Sequence, residues 1–437
     1  MRATLLAVQR CILLMAIMFG VAGSSSAFAQ DLVVMRNVTV RAEPDKNAAK
    51  VDFPAVGTEL TLLDDGNRQS GYYHVRLPDA REGWVYQTFV RRVSGAPSVA
   101  LAPSQAGQIA VHYIDVEQGN AALLEFPCGA LLIDAGGRGD AAEARLLAYL
   151  DAFFARRNDL GGRLAGIYIT HTHIDHNTSL DKVAARFKVG GYIYNGVARG
   201  SGRANASWML QHAVENSPQI VFRAVSEGDV EAAGTAGLTD ATIDPLACQG
   251  TDPKIRILSG GRELPDGTQF RPADWGDEDM DNGNNHSLVI RVDYGAASFL
   301  FPGDLENAGI ANLLARYAGT AMLDTDVLEV SHHGAANGTT AALLAAVTPE
   351  IAVMSMGPST TQERWTAWAY GHPRKVTTEL LYGAVSGRRP TKSVNVARGV
   401  KLFEAFPMDH AVYATGWDGN VTVRGDAAGR IQVLTGQ

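Results

Sequence analysis

The chain is poor in cysteine, with three in 437 residues. Cys11 belongs to the apolar start, so Cys128 and Cys248 are the two left for the folded protein, and a disulfide-built scaffold is excluded. These two either form one bridge in an oxidising compartment or stand as separate buried thiols. Their spacing along the chain does not decide, because pairing requires close Cα atoms. Long hydrophobic runs are also missing. The stretch Cys11–Val21 is short for a membrane span and is followed by the small residues Gly23 to Ser26. Stable membrane insertion is therefore not expected. Excess positive charge is missing too: 38 Lys and Arg face 46 Asp and Glu, a net charge of −8. Such a chain repels polyanions unless basic side chains gather locally. No internal repeat is visible.

What is present begins with a leader. Arg2 and Arg10 give a basic start, the apolar run Cys11–Val21 follows, and Ala27-Phe28-Ala29 stands before Gln30. This pattern predicts a signal peptide over residues 1–29 and an exported protein, periplasmic or secreted. Removing the two leader arginines leaves 36 basic and 46 acidic residues, a net charge of −10. The hydrophobic fraction of 46% and charged fraction of 19% are those of a globular chain, long enough for two domains.

Residues 30–93 alternate apolar and polar with turn signals between, which predicts a small all-β barrel. Val38-Thr39-Val40-Arg41-Ala42-Glu43-Pro44, Gly57-Thr58 and Gly83-Trp84-Val85 make it resemble the bacterial SH3-like domain. That resemblance implies either a cell-wall or protein ligand, or a spacer. Residues 94–107, small and uncharged, read as a linker. From 108 onward buried strands alternate with Ala/Leu-rich helical stretches, which predicts an α/β sandwich with helices outside. Residues 195–283, rich in Gly, Asp and Ala, read as long loops over one edge.

The chemistry concentrates in YITHTHIDHNTSL, Tyr168 to Leu180. His171, His173, Asp175 and His176 form H-x-H-x-D-H directly after an apolar strand-like lead. Alternate loop residues converge, so His171 and His173 can share one ion while Asp175 and His176 reach a second. Imidazole and carboxylate donors suit zinc, manganese or iron. Two ions about 3.5–4 Å apart activate water and clamp the oxygens of a displacement. The plain alternative makes Asp175 a helix N-cap. Asp134 ends an apolar strand before Ala135-Gly136-Gly137 and can brace the metal loop. Asp304 ends SFLFPGD, where a carboxylate can bridge two ions. His332-His333-Gly334 follows VLEVS. His333 is the expected ligand of the second ion, and His332 braces it or faces substrate. His372, in Tyr370-Gly371-His372-Pro373, either protonates a leaving group, holds a phosphate, or packs in a turn.

The order Asp134, H-x-H-x-D-H, Asp304, His333 resembles the metallo-β-lactamase superfamily. Within it, the pattern is similar to the metallohydrolase domain of ComEC-type DNA-internalisation proteins. YIDVEQGNAALLEF with LLIDAGG, ITHTHIDHN, NNHSLVIRVDYGAASFLFPGDLE, DVLEVSHHGAANGTT and AYGHP carry the match, over about residues 108–425. The tail AVYATGWDGNVTV resembles the family's closing hairpin. The resemblance implies an αββα sandwich at 108–437 and phosphodiester hydrolysis. Three departures stand out. Glu117 and Asn120 replace Gly and Asp of the usual D-V-G-Q-G-D-A. A further metal-binding His between the second and fourth motifs has no clear match; the nearby Asn284-Asn285-His286-Ser287 offers His286 as ligand, substrate contact or structural residue, with Asn285 beside it. No membrane channel accompanies the domain.

The resulting expectation is a binuclear hydrolase with two divalent transition-metal ions, zinc first and manganese second. His171, His173 and Asp304 hold one ion; Asp175, His176, Asp304 and His333 hold the other. Asp175, Asp304 and His372 are the expected catalytic residues, and Asp134, His332, Asn285 and His286 the supporting ones. The substrate is a small phosphodiester. The rivals are a lactonase or β-lactamase-like acyl hydrolase, and a cell-envelope binding protein with a vestigial site. Duplex DNA, with about one charge per 1.7 Å, is expected to be a poor substrate. The run Asp274 to Asp281 has the wrong sign for it, though a basic patch of Arg199, Arg203, Arg388, Arg389 and Lys392 would reverse that expectation.

Overall fold

The computed structural model describes residues 31–63, 68–93, 107–137, 139–197, 199–264 and 266–436. The predicted leader, and all of the predicted linker except Gly107, lie outside them. The chain divides into two compact units, Met1–Pro97 and Ser98–Gln437.

The first unit is all β. Its antiparallel sheet runs Lys50–Asp52, Val40–Arg41, Glu82–Tyr86, Tyr72–Arg76, Glu59–Leu62, Asp31–Val34, Val90–Val93, with Arg68–Gln69 on Tyr72–Arg76. Period-two alternation puts Leu32, Val34, Val40, Leu60, Val75 and Val85 in one small core. Among the described residues the sheet order has two ends, so these pairings do not close the expected barrel.

The second unit stacks two sheets. The first runs Val221–Ala224, Gly191–Tyr194, Gly166–Ile169, Gly129–Ile133, Ala122–Phe126, Gln108–Tyr113, Val421–Asp426, Ile431–Thr435. The second runs Lys254–Ser259, Val289–Tyr294, Ala297–Phe301, Val327–Glu329, Ile351–Met354, Val412–Ala414. Side chains of the first sheet alternate between two cores. Leu124, Leu131, Ile133 and Tyr168 join Ile290, Phe299, Leu328 and Val353 of the second sheet. Leu123, Leu132 and Ile167 instead meet Leu146, Leu150 and Phe153 of the helix Asp140–Arg156. Strands buried on both faces need continuous apolar sequence, which ALLEF and GALLI supply. Cys128 and Cys248 pair in a disulfide, with Cα atoms 5.2 Å apart.

Two expectations are corrected. Residues 195–283 are not loop throughout: they hold the helices Arg203–Glu215 and Glu227–Ala233 and the edge strands Val221–Ala224 and Lys254–Ser259. The helix Arg203–Glu215 buries only Ala206, Met209 and Ala213, too sparse an apolar face to read from composition. The closing segment is not a hairpin either. Val412–Ala414 pairs with Ile351–Met354 in the second sheet, and Val421–Asp426 with Gln108–Tyr113 in the first. The short helix Thr415–Asp418 carries the chain between the sheets.

Candidate metal centre

The parallel strands of both sheets stop on the same side, and each stop delivers a polar residue, as open α/β sheets do at their carboxyl ends. Gly129–Ile133 ends at Asp134, Gly166–Ile169 leads to His171–His176, Ala297–Phe301 leads to Asp304, and Val327–Glu329 to His332 and His333. The helix Ile174–Asn177 starts after His173, which occupies the cap position without a side-chain cap bond. Asp175 is therefore not the N-cap; its carboxylate lies 3.5 Å from His333 Nε2. Close backbone approach holds this loop: a Cβ at Gly136 would lie 1.7 Å from the Asp175 carbonyl oxygen. His332 and His333 sit at φ of 50° and 53°, an uncommon backbone for non-glycine residues. Ser331 helps fix that turn, its hydroxyl reaching the carbonyls of Gly303 and Leu305 on either side of Asp304.

Three side chains form a tight set. His176 Nε2 is 3.2 Å from Asp304 Oδ1 and 3.3 Å from His333 Nε2, and His333 Nε2 is 3.4 Å from Asp304 Oδ2. Donors about 2.0–2.2 Å from one tetrahedral ion lie about 3.3–3.6 Å from each other, so this spacing fits a single transition metal. Two groupings emerge, His171 with His176 and Asp304, and Asp175 with His176 and His333. His176 thus adjoins both halves of the centre. His171 Nε2 lies 3.9 Å from Asp304 Oδ2 and 3.0 Å from His173 Nδ1.

The ring nitrogens facing the centre are freed by bonds behind them. His176 Nδ1 donates to Asp134 Oδ2 at 2.7 Å, and His333 Nδ1 to the Ser355 carbonyl at 2.6 Å. Both leave Nε2 toward the cluster, the usual arrangement behind a metal-binding imidazole. The Thr170 hydroxyl donates to Asp134 and sits 3.2 Å from His171 Nδ1. Asn120 also donates to Asp134, at 3.1 Å; an Asp there would set two carboxylates against each other. Glu117, which replaces the family's Gly, has φ of 63°, the backbone a glycine adopts freely.

Electrostatics agree with a cation site. Burial opposes charge on His176 and His333, yet Asp304, with Asp134 beside His176 and Asp175 beside His333, outweighs it. His176 is raised well above the ordinary range, and His333 to about 10. The pocket favours positive charge at Nε2, which a divalent ion supplies in place of the proton. Burial lowers His171 and His173, leaving neutral imidazoles suited to ligation. Burial, then Asp134, pushes Glu329 up to about 8, so no further anion stands beneath the cluster.

The remaining expected residues divide. His332 Nε2 is 3.9 Å from Asp304 Oδ2, and its Nδ1 is 3.2 Å from Glu306 Oε1. His372 is buried beside it, and the Gln118 amide donates to its Nδ1 at 3.3 Å, placing the ring hydrogen on Nε2. Burial, then His333 and His332, pushes His372 down to about 3, so it offers a neutral hydrogen bond rather than an imidazolium proton. His286 and Asn285 stand apart. His286 Nδ1 accepts from the Arg262 N–H at 3.1 Å and Nε2 donates to the Met280 carbonyl at 2.8 Å, so both nitrogens are taken by backbone. Asn285 bonds Asp279 and Gly309 backbone. Their neighbour Asn284 is the one at the site: it donates to Glu306 at 2.7 Å and lies 3.4 Å from His332 Nε2. Sequence reasoning missed Asn284, Glu306, Gln118 and Thr170, although all four lie inside the motifs already marked.

The family model of the metallo-beta-lactamase superfamily matches residues 114–357, over half of the chain, and the chain belongs to that superfamily. Its members are generally metal-dependent hydrolases. Among curated proteins the chain is similar to Recombination protein 2 of Haemophilus influenzae, 40% identical over 89 residues, which is 20% of this chain and 10% of that protein. It is similar also to Competence protein ComA of Neisseria gonorrhoeae, 38% identical over 111 residues, 25% of this chain and 14% of that protein. The chain therefore matches only a small part of the length of these relatives. Among solved structures it aligns with the metallo-beta-lactamase fold protein YhfI of Bacillus subtilis, at 10% identity and a TM-score of 0.32. That alignment covers 56% of this chain and 85% of that one. Among the described residues no helix is long and apolar enough to cross a membrane.

Proposed function

We propose that this protein is a binuclear metal-dependent phosphodiesterase. The observation that carries it is the linked spacing of Asp175, His333, His176 and Asp304, with His171 3.9 Å from Asp304 Oδ2 and His173 beside His171. His171, His173 and Asp304 would hold one zinc or manganese ion, and Asp175, His176, Asp304 and His333 the other. When bound, such a pair supplies an acidified water and offsets charge on the attacking and leaving oxygens, which suits phosphoryl transfer. Asp304 lies beside both halves, its Oδ2 facing His333 and His171. Asp134 orients His176, and the Ser355 carbonyl orients His333. His372, neutral and fixed by Gln118, donates its Nε2–H to a phosphate oxygen. Asn284 and Glu306 hold His332 at the rim.

The test is turnover by the metal-loaded protein on bis(p-nitrophenyl) phosphate, a β-lactam and a simple lactone, with metal content measured alongside. The diester should be cleaved fastest. A lactone or β-lactam cleaved faster would make the protein an acyl hydrolase, and absence of both metal and turnover would make it a binding protein.

A further inference from the structure

We propose that a groove beside the metal centre is a second anion subsite, which selects phosphodiesters carrying a further anionic group on one arm. This inference rests on the phosphodiesterase reading and narrows its substrate.

The groove has a volume of about 890 Å³. His332 and His372 form its inner end, and Arg374, Lys375, Glu379, Ala397 and Arg398 are among its walls. His332 Nε2 is 3.9 Å from Asp304 Oδ2, and the His372 ring stacks on His333 at 6.2 Å, so the groove opens on the centre itself. Three cations against one acid line it, in a chain whose net charge is −8.

The three cations are not equivalent. Lys375 is held by Glu404 at 2.7 Å and lies 3.7 Å from Glu379. Arg398 lies 3.4 Å from the same Glu404. Arg374 makes no ion pair with a carboxylate among the described residues; one guanidinium nitrogen donates to the Tyr370 carbonyl at 3.2 Å. Its remaining donors form the fork that matches a phosphate or carboxylate.

The backbone fixes where that fork starts. The Arg374 N–H donates to the carbonyl of Gly334, the residue after His333, at 2.9 Å. The Pro373 carbonyl accepts from the Ala397 N–H at 2.8 Å, which ties the same segment to the hairpin strand Arg388–Gly399. Arg374 is thus keyed to the metal loop on one side and to the groove wall on the other. Near His173 the centre is bordered by acid. There the acidic helix Asp277–Asp281 leads into Gly283, where a Cβ would lie 3.1 Å from His173 Nε2. An arm bearing a second anion is therefore matched in the groove, where Arg374 makes no ion pair with an acid among the described residues. A diester with two uncharged aryl arms gains nothing from this contact.

Thymidine 5′-(p-nitrophenyl phosphate), with and without a 3′-phosphate, isolates the second anion on one scissile diester. The wild-type protein should prefer the 3′-phosphorylated compound by about 10–100-fold in kcat/KM, mostly through KM, as expected for a charge-assisted bond. Arg374→Ala should bring that ratio near one, and Arg374→Lys should restore part of it. In parallel, calorimetry on the metal-loaded wild-type protein should show thymidine 3′,5′-bisphosphate binding more tightly than thymidine 5′-monophosphate. Equal kcat/KM for the two esters in the wild type, a ratio retained in Arg374→Ala, or equal binding of the two nucleotides would each overturn the subsite. Failure to cleave either ester or bis(p-nitrophenyl) phosphate would instead sink the phosphodiesterase reading, while the binding comparison would still decide the subsite.

Discussion

Asp175, His176, Asp304 and His333 are linked by separations of 3.2–3.5 Å, whereas His171 approaches Asp304 only at 3.9 Å and brings His173 along at 3.0 Å. The tight half has each imidazole fixed from behind, by Asp134 and by the Ser355 carbonyl. The looser half has Thr170 behind His171, and its third imidazole is missing, because His286 gives both nitrogens to backbone. Preorganised ligands lose little freedom on binding, so the two halves should differ in affinity. On the proposed binuclear reading, the centre should act as one strong site with a weaker neighbour, with Asp304 beside both.

The largest break in that comparison is removal of the joint. Asp304→Ala should lose both ions and lower kcat/KM by about a thousandfold or more. His173→Ala should lose one ion, and His372→Ala none. Elemental analysis of the three variants reads this directly. Equal metal content in Asp304→Ala and the wild type would show that the carboxylate does not join the halves.

A smaller change sharpens the asymmetry. Asp134→Asn keeps an oxygen for the Thr170 N–H but removes the anion behind His176. The strong site should weaken by about 10–100-fold, as losses of such orienting partners do, while the weak site changes less. Competition with a chelator of known affinity measures both. Weakening confined to the weak site would place the support on the wrong half.

The same contrast marks what sequence could reveal. Asp134, His171, His173, Asp175, His176, Asp304 and His333 converge because each sits at or just after a strand end, and an apolar run stopping at a polar residue is visible in one dimension. The sequence leaves His286 open between ligand, substrate contact and structural residue, because ring orientation depends on the Arg262 and Met280 backbone, which no local pattern encodes. The ion pairs of the suspected basic residues are unreadable in one dimension for a related reason. Arg389 and Lys392 both bind Asp418, Arg388 binds Asp409, and Arg199 binds Asp281 and Glu263. Arg374, by contrast, makes no ion pair with an acid among the described residues, and its surroundings come from the metal loop and the hairpin, segments distant in sequence.

Protons give the finest test of the two halves. At neutral pH without metal, His333, raised to about 10, carries a proton that an ion must displace, and His176 is raised as well. A proton competes more strongly as pH falls, so affinity at the strong site should rise with pH between 6 and 8. The slope should be about tenfold per pH unit for each proton released. His171 and His173 are lowered by burial, so a proton competes less there. Affinity at the weak site should therefore stay nearly level. Calorimetric titration in two buffers of different ionisation heat counts the protons for each ion. Release accompanying the weaker ion, or a strong-site affinity flat from pH 6 to 8, would reverse the assignment of the two halves.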